Sequence, residues 1–312
     1  MKSILPYFIP TEVILIDDDI TFLESTELHL ASLNALSTFF NKPKKAIDYI
    51  EQHNTVSIPK SLDKIHSQIY SSDRFRQIST IIVDYDMPNM NGLEVCRQIT
   101  SPYIHKVMLT GAATHKIAID AFNEGIIDQF IQKNDPDVFA KLQNAIINAQ
   151  EKYFEVCTPE LMYHIQSKHP EVSILQNPAF VELFRNTTRE NKVVESYLLD
   201  TMGSFLFLPD SGNASAIFIF NEETLEFQED MIPEADRNTD LAQEVYSKNQ
   251  TICFYPFNHQ EKYDPENWKS YLKPLKRLGS DSLVFYVFDP DLTNLDQNQI
   301  ISFKDYRLKA GK

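Results

Sequence analysis

The sequence has little cysteine, a shortage of basic charge and no long apolar run, and each shortage removes a class of protein. Cys96, Cys157 and Cys253 are the only cysteines, odd in number and far apart with no C-x-x-C pair, which suits a reducing compartment better than a disulfide scaffold. No apolar run approaches the roughly 18 residues that a membrane-spanning helix needs. The first ten residues carry one lysine and a short apolar stretch broken by Pro6 and Pro10, unlike a secretory signal. A soluble, cytoplasmic protein is expected. The chain holds 29 basic and 44 acidic residues, a net charge of -15. Residues 1–135 account for 12 basic and 17 acidic, leaving 17 and 27, or -10, for the remainder. That half lacks the basic stripe from which most DNA binding derives its affinity, which weighs against nucleic acid as a partner. At 312 residues the chain is long enough for two domains.

What is present is concentrated in residues 79–98, STIIVDYDMPNMNGLEVCRQ. Thr80, Ile81, Ile82 and Val83 form a continuous β-branched run of the kind buried on both faces of a parallel sheet. The run stops at Asp84, followed by the turn residues Met87-Pro88-Asn89 and Asn91-Gly92. A carboxylate there sits where open α/β sheets place their ligands. Three other apolar runs end in polar residues: Val13 to Ile16 in Asp17, Asp18 and Asp19, residues 106–109 in Thr110, and Phe130-Ile131-Gln132 in Lys133. Carboxylates at two strand ends, with a hydroxyl and an ammonium at two others, make a site able to hold a divalent cation against an anion. Without a cation the carboxylates would repel one another, and Mg²⁺ favours a few carboxylates while keeping several waters.

On these residues, 11–135 resembles the receiver domain of two-component response regulators. The resemblance implies a doubly wound (βα)5 flavodoxin-like α/β fold with a parallel sheet. Carried over by position, it makes Asp84 the phosphoacceptor, Asp17 and Asp18 the acidic pair that holds Mg²⁺ with Asp84 and the backbone carbonyl of Asp86, Thr110 the switch hydroxyl, Lys133 the phosphate-pairing lysine and Phe130 the switch aromatic. It implies a histidine kinase or phosphotransfer protein as partner, and Mg²⁺ as cofactor. Three departures stand out. Asn134 follows Lys133 where the family most often has proline, Asp86 adds a carboxylate at the rim, where an effect on phosphate lifetime is expected, and the spacing from Asp17 to Asp84 is longer than usual, pointing to an insertion at residues 53–77.

Elsewhere in this half, helices are expected over residues 22–37, with Thr21 and Glu24 as a capping box, and over 43–53, 92–100 and 115–124; a short strand is expected over 36–40. Within the insertion, Leu62, Ile65 and Ile69 recur at helical spacing. Two readings stand for it, a spacer packed on the sheet edge or a partner-docking helix. Residues 137–153 carry Val138, Leu142, Ala145, Ile146 and Ala149 at a 3.6-residue period. That helix is read as a receiver helix with a helical linker (136–158), a signal-transmitting extension or a dimer seam. Thr158-Pro159 marks a boundary.

Residues 159–312 read as an α+β output domain. Helices are expected over 160–167, 178–190, 222–231, 236–248 and, around Trp268, 267–272; strands over 197–199, 203–208, 214–220, 252–255 and 282–287, with a hairpin turn at 210–213. No Walker loop, GxGxxG, H-E-x-x-H or serine elbow occurs there. His164 with His169, and His259 beside Glu261 and Asp264, read as surface histidines, and Phe205, Phe207, Phe218, Phe220 and Tyr286 as sheet core rather than a ligand box. Residues 195–212 also look like an uncharacterised domain found behind some bacterial receivers, a resemblance that supplies a boundary but no activity. The leading expectation is a regulator whose phosphorylation on Asp84 controls dimerisation or protein partner binding. Two alternatives remain: a phosphorylation-gated enzyme or small-molecule-binding output domain, and an atypical DNA-binding regulator.

Overall fold

The computed structural model describes residues 4–53, 59–111, 114–168, 174–210, 213–254, 263–279, 282–292, 295 and 299–310. It divides into two compact units, one built from Phe8–Pro59, Ser71–Glu160 and Phe303–Lys312, the other from Met1–Tyr7, Lys60–Tyr70 and Leu161–Ser302.

The first unit is an α/β sandwich. Its strands are β1 (Glu12–Ile16), β2 (Leu36–Phe40), β3 (Ile78–Asp84), β4 (His105–Thr110) and β5 (Gln129–Gln132). They pair in parallel in the order β2-β1-β3-β4-β5. Between them run α1 (Ile20–Leu30), α2 (Pro43–His53), α3 (Gly92–Gln98) and α4 (His115–Asn123), with α5 (Val138–Cys157) after the last strand. Because alternate residues of a strand face opposite ways, β1 sends Ile14 and Ile16 into a core with α2, α3 and α4, and Val13 and Leu15 into another with α1 and α5. Every residue of β1 and β3 is buried. This is the flavodoxin-like receiver fold, with its crevice at the carboxyl ends of the strands, beside the topological switch between β1 and β3.

One local expectation changes, and one of the readings of the long helix is met in part. The first helix ends at Leu30, and its cap is the Asp19 carboxylate, which accepts from the Thr21 and Phe22 amides, rather than a Thr21–Glu24 box. In the long helix Val138, Leu142, Ala145 and Ile146 pack on the sheet, Phe154 meets the Phe8 ring at 5.3 Å, and the Tyr153 hydroxyl donates to Gln77. The terminal helix Phe303–Lys309 had no counterpart in the sequence reading. It buries Phe303 completely, and Phe75 packs against the rings of Phe303 and Tyr306 at 5.2 and 5.0 Å.

The second unit carries a six-stranded sheet in the order Tyr7–Phe8, Val193–Leu198, Phe205–Pro209, Ser215–Asn221, Val284–Asp289, Lys276–Arg277. A two-stranded ribbon joins Gln250–Ile252 to Leu272–Pro274. The expected hairpin pairs Phe205 with Ile217 and Phe207 with Ser215; Ser211 and Gly212 of its turn lie outside the described residues. Helix Pro178–Glu190, capped by Asn177, lays Phe184 on Phe205 and Phe207 at 4.9 and 5.3 Å, so these two phenylalanines are sheet core. The helix expected over 236–248 is a 3₁₀ turn at Glu234–Asp236 followed by Asp240–Tyr246, started by the Thr239 cap. Around Trp268 the helix is Pro265–Ser270, capped by Asp264. His169, His259 and Glu261 lie outside the described residues.

The insertion helix forms over Leu62–Gln68 and belongs to this second unit, with Ile65 and Ile69 fully buried. His66 lies against the backbone of Leu198 and Leu199, and burial pushes its imidazole below the ordinary 6.5, with Asp63 and Asp200 pulling the other way. A base whose folded pKa is depressed leaves stability intact above its ordinary value and erodes it as pH falls below, because the unfolded chain then takes up the proton first. Thermal unfolding between pH 7.5 and 5.5 should therefore cost the wild type more than His66→Gln; equal losses would separate His66 from the acid sensitivity.

Candidate functional site

Four strand-end segments converge at the crevice. Asp17 and Asp84, 1% and 6% exposed, stand at the ends of adjacent strands, and Asp18 is exposed beside them. Oxygens of the three carboxylates lie within 4.8 Å of one another. Lys133, after β5, brings Nζ to 2.9 Å from Asp17 Oδ1, 2.8 Å from Oδ2 and 3.6 Å from Asp84 Oδ2. The loop that carries it is tied back by the Lys133 amide donating to the Thr110 carbonyl at 2.9 Å.

The electrostatics follow from burial of like charges. The Asp84 carboxyl is pushed up to about 6, first by burial and then by Asp17, with Lys133 opposing and Asp86 and Asp18 adding. Asp17 is raised by burial in spite of its bonds from Lys133 and the Asp19 amide. Burial disfavours the Lys133 charge, yet its carboxylate partners Asp17 and Asp84 raise it overall. The ammonium also rests 4.7 Å from the centre of the Phe22 ring.

Thr110 Oγ1, fully buried at the end of β4, has no hydrogen-bond partner among the described residues, and Asp17 Oδ2 faces the Lys133 ammonium at 2.8 Å. Three carboxylates with oxygens within 4.8 Å of one another are the all-oxygen donor set that fits a hard divalent cation, and a buried hydroxyl nearby fits an incoming acceptor oxygen. Asp86 is exposed, with Oδ2 3.9 Å from where a β-carbon on Gly111 would sit, which puts it at the rim of the same crevice. Phe130 is half-buried and turned toward α4, edge-on to His115 at 5.2 Å and to Phe122 at 6.4 Å.

The structure thus brings Asp17, Asp18, Asp84 and Lys133 into one cluster, sets Thr110 and Asp86 on its border and places Phe130 on the α4 side of β5. Sequence reasoning placed Asp19 and Gly92 at the crevice without their contacts and gave Phe22 no place there. Asp19 donates its amide to Asp17 at 2.9 Å while capping α1, Phe22 lies under Lys133, and Gly92 abuts the Asp84 backbone. The acidic residue before a helix and the Asn91-Gly92 pair were the available signals for the first and third; Phe22 had none.

A parallel β2-β1-β3-β4-β5 sheet with this cluster at its carboxyl edge defines a receiver domain. The family model described as response regulator receiver domain matches residues 61–147, which include Asp84, Asp86, Thr110, Phe130 and Lys133. The structure of the Legionella pneumophila response regulator LqsR is 32% identical, covers 98% of this chain and 96% of its own, and superposes with a TM-score of 0.78. This chain belongs to the response regulator family. Shorter likenesses include an adenylate cyclase from Rhodopirellula baltica (25% identity, 50% of this chain and 98% of that one, TM-score 0.37) and a receiver domain protein from Clostridium thermocellum (20%, 46% and 95%, 0.36). No curated protein matches. Among the described residues, no helix is long and apolar enough to cross a membrane.

Proposed function

We propose that a histidine kinase or phosphotransfer protein phosphorylates this regulator on Asp84, and that the phosphoryl group controls dimerisation or protein partner binding. One observation carries the reading: the Asp84 carboxylate ends the central strand with Lys133 Nζ at 3.6 Å and the unpartnered Thr110 hydroxyl on the neighbouring strand.

A magnesium ion held by Asp17, Asp18, Asp84 and the backbone carbonyl of Asp86 would supply neutralisation of the charge spread over the transferring oxygens. The Asp84 oxygen attacks phosphorus, a P–O bond forms, and the P–N bond to the donor histidine breaks with its electron pair left on the imidazole. The product is an acyl phosphate adding roughly 1.5 to 2 negative charges. Lys133, already between Asp17 and Asp84, pairs with the new phosphoryl oxygens. Thr110 donates its hydroxyl to them and draws Gly111 inward. Phe130 then turns into the space this leaves and loosens its edge contacts with His115 and Phe122 on α4. Ile119 and Phe122, three residues apart on that helix, are 39% and 49% exposed, an apolar pair adjoining the switch.

Light scattering with and without beryllofluoride and Mg²⁺ tests the reading. A doubled mass in the wild type, absent from Asp84→Asn, is expected for control of dimerisation. An unchanged mass with beryllofluoride bound excludes dimerisation and leaves partner binding, to be assayed with kinase-phosphorylated protein; failure of beryllofluoride to bind at all overturns the assignment of Asp84.

A further inference from the structure

The Lys133 ammonium has neighbours of two kinds. Its charged neighbours are Asp17, at 2.9 Å to Oδ1 and 2.8 Å to Oδ2, and Asp84, at 3.6 Å to Oδ2. Its uncharged neighbour is Phe22: Nζ lies over the ring, 4.7 Å from the centre. The acidic loop itself sets the place of that ring. Asp19 donates its amide to Asp17 Oδ1 at 2.9 Å, and its carboxylate accepts from the Phe22 amide at 3.1 Å, so one residue ties the carboxylate and the ring together.

Two further rings brace Phe22. Phe139 of α5 stacks on it at 5.9 Å and 23°, and on His29 at 3.9 Å and 5°. Phe22 and His29 are seven residues apart on α1, two turns along one helix face. His29 Nδ1 donates to the Ser25 carbonyl at 2.7 Å, and Gln143 of α5 donates to the His29 carbonyl at 2.6 Å. Core packing accounts for ring against ring. The cation over the face of Phe22 is a separate observation.

A lysine ammonium is a compact charge on a long flexible stem, so its placement depends on what surrounds it. Asp17 and Asp84 are also the groups that the proposed cation and phosphoryl group would engage, in competition for the oxygens that hold Nζ. The face of Phe22 competes with neither, because its attraction for a cation comes from the ring quadrupole. We infer that Phe22 is a positioning residue: its ring face, braced by Phe139 and His29, keeps Lys133 Nζ within reach of oxygens carried on Asp84. The inference rests on the phosphorylation reading and deepens it, naming what holds the lysine while its carboxylate partners are engaged elsewhere.

Full-length protein labelled with ¹⁵N-lysine supplies the first readout. Protons over a ring face are shielded, so the Lys133 ammonium signal, assigned by its loss in Lys133→Arg, should move downfield in Phe22→Leu and hold its place in Phe22→Tyr. Beryllofluoride affinity in saturating Mg²⁺, measured by calorimetry, supplies the second: roughly three- to tenfold weaker in Phe22→Leu and within about twofold of wild type in Phe22→Tyr. Phe22→pentafluorophenylalanine keeps the ring and reverses the charge of its face, and should weaken binding as much as Phe22→Leu, which separates the cation contact from packing. An unmoved Lys133 signal in Phe22→Leu, wild-type affinity in the pentafluorophenylalanine variant, or equal losses in Phe22→Tyr and Phe22→Leu would each overturn the inference while leaving Asp84 as the acceptor. Failure of the wild type to bind beryllofluoride would overturn the phosphorylation reading and the inference with it.

Discussion

Asp84→Asn is expected to abolish beryllofluoride binding and phosphorylation by small phosphodonors, and at the same time to make the metal-free protein more stable. The two effects have one cause. In the proposed reaction Asp84 attacks in its ionised form, but in the folded chain its charge is buried against Asp17, with Asp18 and Asp86 nearby, so its carboxyl is held at about 6 instead of 3.8. An acid whose folded pKa is raised destabilises the fold at neutral pH, where the unfolded chain ionises freely. At 1.36 kcal/mol per unit the shift sets a ceiling of about 3 kcal/mol, and relaxation around the site brings the expected gain to roughly 2 kcal/mol. Lys133 is not orphaned by the change, because its shorter contacts are to Asp17. For a unit of this size the unfolding midpoint should rise by roughly 4 to 8 °C without divalent cation. Saturating Mg²⁺ should stabilise the wild type more than the variant and narrow that difference. A variant that loses phosphorylation and also unfolds earlier in metal-free buffer would show that the carboxylate cluster is not repulsive as described.

Gly92→Ala should be among the most damaging single-methyl changes in the receiver unit, although helix propensity alone predicts the reverse. Gly92 opens α3, where alanine is favoured over glycine by about 1 kcal/mol. A β-carbon there, however, would lie 2.3 Å from the Asp84 carbonyl oxygen, 3.0 Å from its carbon and 3.2 Å from Tyr85 Cα. These neighbours are backbone atoms at the end of a fully buried strand, and Gly92 itself donates its amide to the Tyr85 carbonyl at 3.1 Å. No side chain can rotate away, so either α3 or the Asp84–Tyr85 backbone must move. A loss of about 3 kcal/mol is expected, together with at least a tenfold drop in beryllofluoride affinity. Gly111→Ala is the matched control, since the nearest atom to its β-carbon would be 3.9 Å away. Denaturant unfolding of the two variants decides the point; equal stability would mean the close approach is relieved at little cost.

The parts of this protein legible in the sequence are those in which a local pattern has one physical solution. A β-branched run such as Thr80 to Val83, buried on both faces, forms a parallel strand, and a carboxylate, hydroxyl or ammonium closing four such runs must emerge at one edge of the sheet. Asp17, Asp84, Thr110 and Lys133 were therefore locatable before any coordinates. Asn177-Pro178 and the alternation on either side of residues 210–213 were legible for the same reason.

Only the tertiary structure decided what depends on partners far along the chain. The spacing of Leu62, Ile65 and Ile69 specifies an apolar stripe but not which sheet it covers, and the helix belongs to the unit built mainly from residues 161–302. Phe303 and Tyr306 likewise find Phe75 more than two hundred residues away. Strands of two residues, Tyr7–Phe8 and Lys276–Arg277, are too short to show a period and exist only because a longer neighbour offers hydrogen bonds. Lys133 faces Asp17 more closely than Asp84 and Gly92 has no room for a methyl, because burial, charge repulsion and close packing act through space while sequence pattern reports only neighbours along the chain.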